Sequence, residues 1–562
     1  MKKLALILII CIKTVFPNNQ RVVEPKVILA DSVNLISSNL PIVVINTFGQ
    51  EIPDSGKIMA RMGIIWNGDG NRNYITDPFN HYDGYVGIEV RGSSSQLFPK
   101  KSYAVETRDS LGNDRSVPLL GLPAEEDWIF YGPYNDKTLI RDVIAYKLAS
   151  DLGRYASRSK FFELVINGEY KGIYILLEKI KRDANRVNIK KISPSDTTGD
   201  ALTGGYIIKI DKLDGENNDG WYSYFRPFQQ RSNLVFYQYH YPKPNEIIEV
   251  QKNYIKSFIY AFESAMYGPY YSDTTFGYWK YIDVNSFVDY ILINELVKNV
   301  DAYRLSTFFY KDRDSRNPKL FAGPVWDFNL AFGNANYYEA YTSNGWYLEH
   351  VSEYSNIPSW ENWLIPFWWK KIFGDYRFKQ LVKERWQQLR QIKWTETRIN
   401  SIIDSLTTLL AESRQRNFQK WPVIGQWIWP NYFVGQTYEE EILYLKNWLS
   451  SRLIWMDQEF NSFQTTVESK NSLNNFILYQ NFPNPFNSIT KIRFSLKEND
   501  KVLVKLYDVL GREISVILGE FLPTGTYEIP LDAEYLKLSN GIYFYELICS
   551  NFSDIKKMVY LK

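Results

Sequence analysis

NVDAYRLSTFFYKDRDSRNPKLFAGPVWDFNLAFGN, residues 299–334, is the stretch that decides how this chain is read. Asp301 follows an apolar helical run. Asp327 stands between Trp326 and Phe328, after a short apolar segment and before a loop holding Gly333. Two carboxylates a hairpin's length apart suit metal-assisted phosphoryl transfer. One orients the nucleophile's proton, and the other holds a divalent cation on the phosphates.

Working outward, residues 283–300 are expected to form a helix. Asp283 is its N-cap, and Phe287, Tyr290, Ile291, Asn294 and Val297 recur at helical spacing. A strand is expected over 307–310. Further upstream, 40–46, 84–90, 160–166, 170–177 and 204–211 read as strands, and Asn167-Gly168 is a hairpin turn. Helical periodicity marks 136–152 and 250–267, with 406–419 and 439–460 the clearest helices in a Trp-rich region. After a polar stretch at 464–474, short strands broken by turn residues run to the end: 489–496, 502–507, 526–530, 541–549 and 556–561. That pattern predicts a small β-sandwich.

Composition bounds the rest. The chain has 562 residues, is 45% hydrophobic and 23% charged, and carries a formal net charge of +2. This is globular material for several domains, without the basic excess of a nucleic-acid binder. The opening MKKLALILIICIKTVF has a positive start and an apolar core too short to span a bilayer, the pattern of a signal peptide over 1–20. With only Cys11 and Cys549 present, loss of the leader leaves no internal disulfide. Three histidines without ligand spacing argue against a zinc site.

Five segments carry a family resemblance: RGSSSQLFPKKSY (91–103), LLGLPAEEDWIFYGPYNDKTLIRD (119–142), FFELVINGEYKGIYILLEKIKR (161–182), GGYIIKIDK (204–212), and VDAYRLSTFFYKD with GPVWDFNLAFGN (300–312 and 323–334). In this order they resemble the CotH family of atypical protein kinases, over 41–463. The last residues, 475–562, resemble a type IX secretion sorting domain of type A. Its signature here is YQNFPNPFNSITKIRFSL (479–496), VKLYDVLGREI (504–514), LPTGTYEI (522–529) and SNGIYFYEL (539–547). The fold class expected is α+β, an atypical protein-kinase-like domain followed by a small all-β sandwich.

The resemblance implies an exported kinase that uses ATP with Mg²⁺ or Mn²⁺ to phosphorylate Ser or Thr of envelope or extracellular proteins. It implies the type IX machinery as a partner and the cell surface or medium as the destination. By element order, Asp301 becomes the catalytic base and Asp327 the metal ligand. Lys101, or its neighbour Lys100, and Arg91 would face the nucleotide phosphates, and Glu178 would close the strand at the adenine hinge. Asp142 is the acid available to pair with the lysine. Bland readings stand beside these: a solvated lysine pair, a plain β-turn at 91–95, a surface charge at Asp142, and strand-end acids at Glu178 and Asp211. Ser306 departs from the family pattern, because kinases place an Asn there as a second metal ligand. Asn329 and Asn334 are possible substitutes. The competing functions are a non-catalytic surface adhesin or matrix-assembly protein on the same fold and, last, a sugar hydrolase using paired acids.

Overall fold

A computed structural model describes residues 33–213, 219–463, 476–549 and 552–562. The expected leader (1–20) and linker (464–474) lie outside the described residues.

Seven strands close into a barrel: β1 (Ile42–Asn46), β2 (Ile58–Ile65), β3 (Tyr82–Arg91), β4 (Ser102–Arg108), β5 (Asp127–Tyr131), β6 (Ser159–Ile166) and β7 (Glu169–Glu178). Neighbours pair antiparallel in the order β6-β7-β5-β4-β3-β2-β1. A parallel pairing of β1 with β6, Glu163 opposite Ile42, closes the ring. Alternating side chains point inward, so Ile64, Val86, Ile88, Val105, Phe130, Phe162, Leu164 and Leu176 fill the interior.

Helix α1 (Arg141–Ser150) follows the barrel's fifth strand. It starts later than the pattern 136–152 suggests. Asp136 folds the chain back on itself, accepting from Thr138 N, Arg141 N and Arg141 Nη1 at 3.1, 2.9 and 2.6 Å. A second sheet holds β8 (Tyr206–Ile210), β9 (Gly220–Tyr222), β10 (Phe236–Tyr241), β11 (Thr307–Lys311) and β12 (Leu320–Ala322), in the order β9-β10-β8-β11-β12.

The helices are α2 (Glu249–Tyr267), α3 (Val284–Val297), α4 (Trp368–Gly374), α5 (Tyr376–Ile392), α6 (Glu396–Leu409), α7 (Ser413–Lys420) and α8 (Tyr438–Ser462); α3 packs on β12 of this sheet, and α7 packs on β7 of the barrel. The one helix expected over 406–419 is two, broken at Leu410. Phe287, Phe309, Trp368 and Trp369 meet as stacked, tilted or edge-on rings where α3, α4 and β11 come together. Helix α3 is central and has no solvent face, with every residue except Asn285 buried.

The C-terminal region forms two antiparallel sheets. β13 (Phe476–Leu478), β14 (Ile489–Leu496) and β17 (Gly525–Asp532) make one. β15 (Asp500–Tyr507), β16 (Glu513–Leu522), β18 (Gly541–Cys549) and β19 (Phe552–Tyr560) make the other. Both contribute to one core, with Ile492, Phe494, Val504, Leu506, Tyr545 and Met558 inside, as a sandwich requires. Cys549 is buried there as a free thiol. No helix among the described residues is long and apolar enough to cross a membrane.

One buried cluster fixes the helical half. Glu295 of α3 accepts from Tyr303 Oη at 2.9 Å and from Tyr347 N and Leu348 N at 2.8 Å each. Arg452 of α8 lies 3.2 Å from it, and both side chains are wholly buried. Arg452 also donates to the carbonyls of Glu295, Ser343 and Gly345. Removing one member leaves the other charge unpaired in the core. Arg452→Leu is therefore expected to cost about 3–5 kcal/mol, read as a fall in the urea midpoint at unchanged slope. A loss below about 1 kcal/mol would mean that α8 does not depend on the pair.

Candidate functional site

A cavity of about 890 Å³ opens between the barrel and the helical half. The barrel supplies Arg91 at the end of β3, the turn Gly92–Gln96, Tyr131 at the end of β5 and Leu177 of β7. The other half supplies Lys209, Asp211 and Lys212 at the end of β8, Asp301 and Ser306, and the run Trp326, Asp327, Asn329 and Leu330. Asp142 and Tyr146 of α1 close the inner end.

Asp301 does not end the helix, as its sequence setting suggests. Helix α3 stops at Val297 because Lys298 adopts a left-handed conformation (φ 45°) and Asn299 N bonds Asn294 O at 3.1 Å. Asp301 then sits in a tight turn, with Arg304 Nη2 at 3.6 Å. Arg304 is held by Glu361 at 3.0 Å and donates to Val300 O at 3.3 Å, which pins the turn. Burial raises Asp301 above the ordinary carboxylate range, against the pull of Arg304 and Lys212.

Asp327 is also left-handed (φ 63°). Its carbonyl accepts from Asn299 Nδ2 at 3.1 Å, and its N–H donates to Tyr146 Oη at 3.3 Å. The next residue, Phe328, donates its N–H to Asp142 Oδ1 at 2.9 Å. The loop beyond is pressed on α8: Gly333 has φ 74°, and a Cβ there would meet the Trp448 ring at 2.5 Å. Burial, then the charge of Asp301, pushes Asp327 up, while Arg91 pulls it down. Arg91 itself lies over the Trp326 ring at 5.9 Å.

Asp211 completes the group. Its Oδ1 accepts from Ser306 N at 3.3 Å, and its Oδ2 lies 3.2 Å from Lys209 Nζ. Lys209 and Asp211 share a face because strand side chains alternate.

The structure brings Asp301, Asp327 and Arg91 into one cavity and leaves Lys101 and Glu178 outside its lining. Lys101 Nζ is turned to Gln96 O at 2.5 Å. Lys100 is buried, donating to Asn417 Oδ1 at 2.8 Å and Pro133 O at 3.2 Å, where it ties the barrel to α7. Glu178 is wholly buried and takes a two-pronged bond from Arg158 at 2.9 and 2.7 Å. It faces away because Leu177, its neighbour in the alternation, takes the cavity side. Asp142, read either as the lysine's partner or as a surface charge, is buried, and so is its neighbour Arg141. Asn334 is committed to Asn135 O, Asn329 O and Asn431, while Asn329 lines the cavity. Sequence reading missed Lys209, Lys212, Tyr131, Asn135 and Tyr146. The signal available was the alternation in YIIKID, which puts Lys209 beside Asp211.

The family described as CotH kinase protein matches residues 88–456, about two thirds of the chain. The family described as Secretion system C-terminal sorting domain matches 480–561. No curated protein matches. A crystal structure of dimeric latent PorU from Porphyromonas gingivalis is similar at 24% identity and a TM-score of 0.14, over 15% of this chain and 9% of that one. The sorting domain directs secretion through the type IX system to the cell surface or the extracellular space. The chain belongs to the CotH kinase protein family and carries a type IX sorting domain at its C-terminal end.

Proposed function

We propose that the chain is a secreted, kinase-like phosphotransferase that moves the γ-phosphoryl group of ATP to Ser or Thr of envelope or extracellular proteins. The observation that carries this reading is the convergence of Asp301, Asp327, Asp211 and Arg91 on one cavity between a β-barrel and a helical half. The paired strands β11 and β12, which link the Asp301 turn to the Asp327 loop, support a kinase-like arrangement of this half.

In this reading, Asp301 accepts the proton of the attacking hydroxyl and orients it. Its turn is braced by Arg304 and Glu361, so its position is set before substrate arrives. Asp327 would hold Mg²⁺ or Mn²⁺, which offsets charge on the transferring phosphoryl group. Arg91 is positioned by Trp326 to meet the phosphates, and Lys209 and Lys212 add positive charge at the far wall. Lys101 would enter only if the turn that now engages it through Gln96 opened.

Three outcomes are expected with γ-labelled ATP and Mg²⁺ or Mn²⁺ on the full chain. Asp301→Asn should lower transfer about 10²- to 10⁴-fold with nucleotide binding retained. Asp327→Asn should remove metal-dependent nucleotide binding. Arg91→Ala should weaken nucleotide binding about tenfold or more, the scale of one charge-assisted contact. No transfer and no metal-dependent nucleotide binding in wild type would promote the adhesin reading.

A pH signature follows from burial. Asp301 and Asp327 titrate above their unfolded values, so the cation-free folded state binds more protons than the unfolded chain. Their effect on stability is thus fully present only below the unfolded value of about 4 and is lost as pH rises from there through the raised values. Bound Mg²⁺ needs an ionised Asp327 and offsets more of this loss at higher pH. Thermal unfolding should show a larger Mg²⁺-induced rise in Tm at about pH 8 than at about pH 5.5, and equal increments would contradict it.

A further inference from the structure

The inner end of the cavity has a charge imbalance that the chain does not correct. Asp142 is 3% exposed, and while its Oδ1 takes the Phe328 N–H, its Oδ2 has no hydrogen-bond partner among the described residues. Tyr131 Oη, which also lines this end, is likewise buried without a partner. The charged groups that act on Asp142 are Asp327 and Asp136, both acids, and Asp136 is already paired with Arg141 at 2.6 Å.

Elsewhere the chain handles such acids differently. Glu125, Glu126 and Asp127 form a compact acidic group, and Lys181 Nζ lies 2.9, 2.7 and 2.8 Å from the three. Among the described residues, no lysine or arginine is paired with Asp142. An unpaired carboxylate at this depth is strongly unfavourable, so a native site of this kind is completed by a cation from outside or by a proton.

We propose that Asp142 and Asp327 together bind a second divalent cation, in place of the contact that Ser306 is too weak a ligand to provide. Asn329 supplies a neutral oxygen. It lines the same cavity, its Nδ2 donates to Asn135 Oδ1 at 3.2 Å, and its Oδ1 accepts no hydrogen bond among the described residues. Two carboxylates and an amide oxygen are hard ligands suited to Mg²⁺ or Mn²⁺. Asp142 then links α1 to the chemistry twice, through Phe328 N–H and through the cation. The inference rests on the nucleotide-dependent reading of the cavity given above.

The test counts Mn²⁺ bound to the full chain by electron paramagnetic resonance, with and without a non-hydrolysable ATP analogue. Wild type should bind two nucleotide-dependent ions. Asp142→Asn keeps the bond to Phe328 N and removes the charge, so it should retain one ion and lose or weaken the other at least 30-fold. Retention of the first ion shows that the variant is folded. Asn329→Leu should weaken the same second ion several-fold, and Ser306→Ala should keep both. Two ions undiminished in Asp142→Asn, or one lost in Ser306→Ala, overturns the proposal. One ion in wild type and Asp142→Asn alike, lost in Asp327→Asn, overturns the second site and leaves the nucleotide reading intact. No nucleotide-dependent ion in wild type overturns both.

Discussion

The buried pair of Glu295 and Arg452 is the constraint on which the candidate site depends. Glu295 lies two residues before the end of α3, and its carboxylate receives bonds from Tyr303 and from the helical turn Tyr347–Val351. Tyr347 in turn donates its hydroxyl to Val300 O. The turn that carries Asp301 is thus clamped on both sides by groups that converge on one buried acid. A buried ion pair is weak evidence for net stability, but it specifies geometry, because any other arrangement leaves a charge unpaired. Arg452 spends its donors on three backbone carbonyls as well, so α8 is fixed relative to the Asp301 turn and to the strap around Ser343–Gly345.

Much of the fold was legible because its signals are local. The alternation over 489–496 and 541–549 matches β14 and β18, and Asp283 caps α3 by accepting from Ser286 N at 2.8 Å. Strands β2, β5 and β10 and helix α5 were not singled out. Their residues are explained by neighbours far along the chain: β5 is buried between β4 and β7, and its run DWIFY carries no alternation. Barrel closure depends on β1 meeting β6 across more than a hundred residues, which periodicity does not encode.

The site divides the same way. Asp301 and Asp327 stood out because each is an acid set in an apolar context, and that context is what buries it. The lysines did not resolve. Lys100 and Lys101 precede a strand, as the pattern requires, yet one is consumed in holding α7 and the other bonds its own turn. Charge at the end of a strand says that a residue emerges from the core, not which way it faces. Glu178 shows the same ambiguity: one step in alternation separates it from the cavity, and Arg158 claims it on the other side.

The choice of cations across the cavity follows from these commitments. Lys100 is buried with only neutral hydrogen-bond partners, and desolvation drives its pKa well below the ordinary lysine value, so it is a poor source of fixed positive charge. Arg91 is suited to the role for the opposite reason. Burial lowers it too, but a guanidinium starts far enough above neutrality to stay charged, and its plane can rest on Trp326. The acids Asp142, Asp211, Asp301 and Asp327 therefore face Arg91 at the barrel wall and Lys209 and Lys212 opposite, of which Lys209 is already engaged by Asp211. A polyanionic nucleotide entering this cavity would be repelled by the inner acids unless divalent ions came with it. On the proposed reading, the lack of a lysine beside Asp142 among the described residues would couple nucleotide binding to metal, because the protein has not supplied the charge itself.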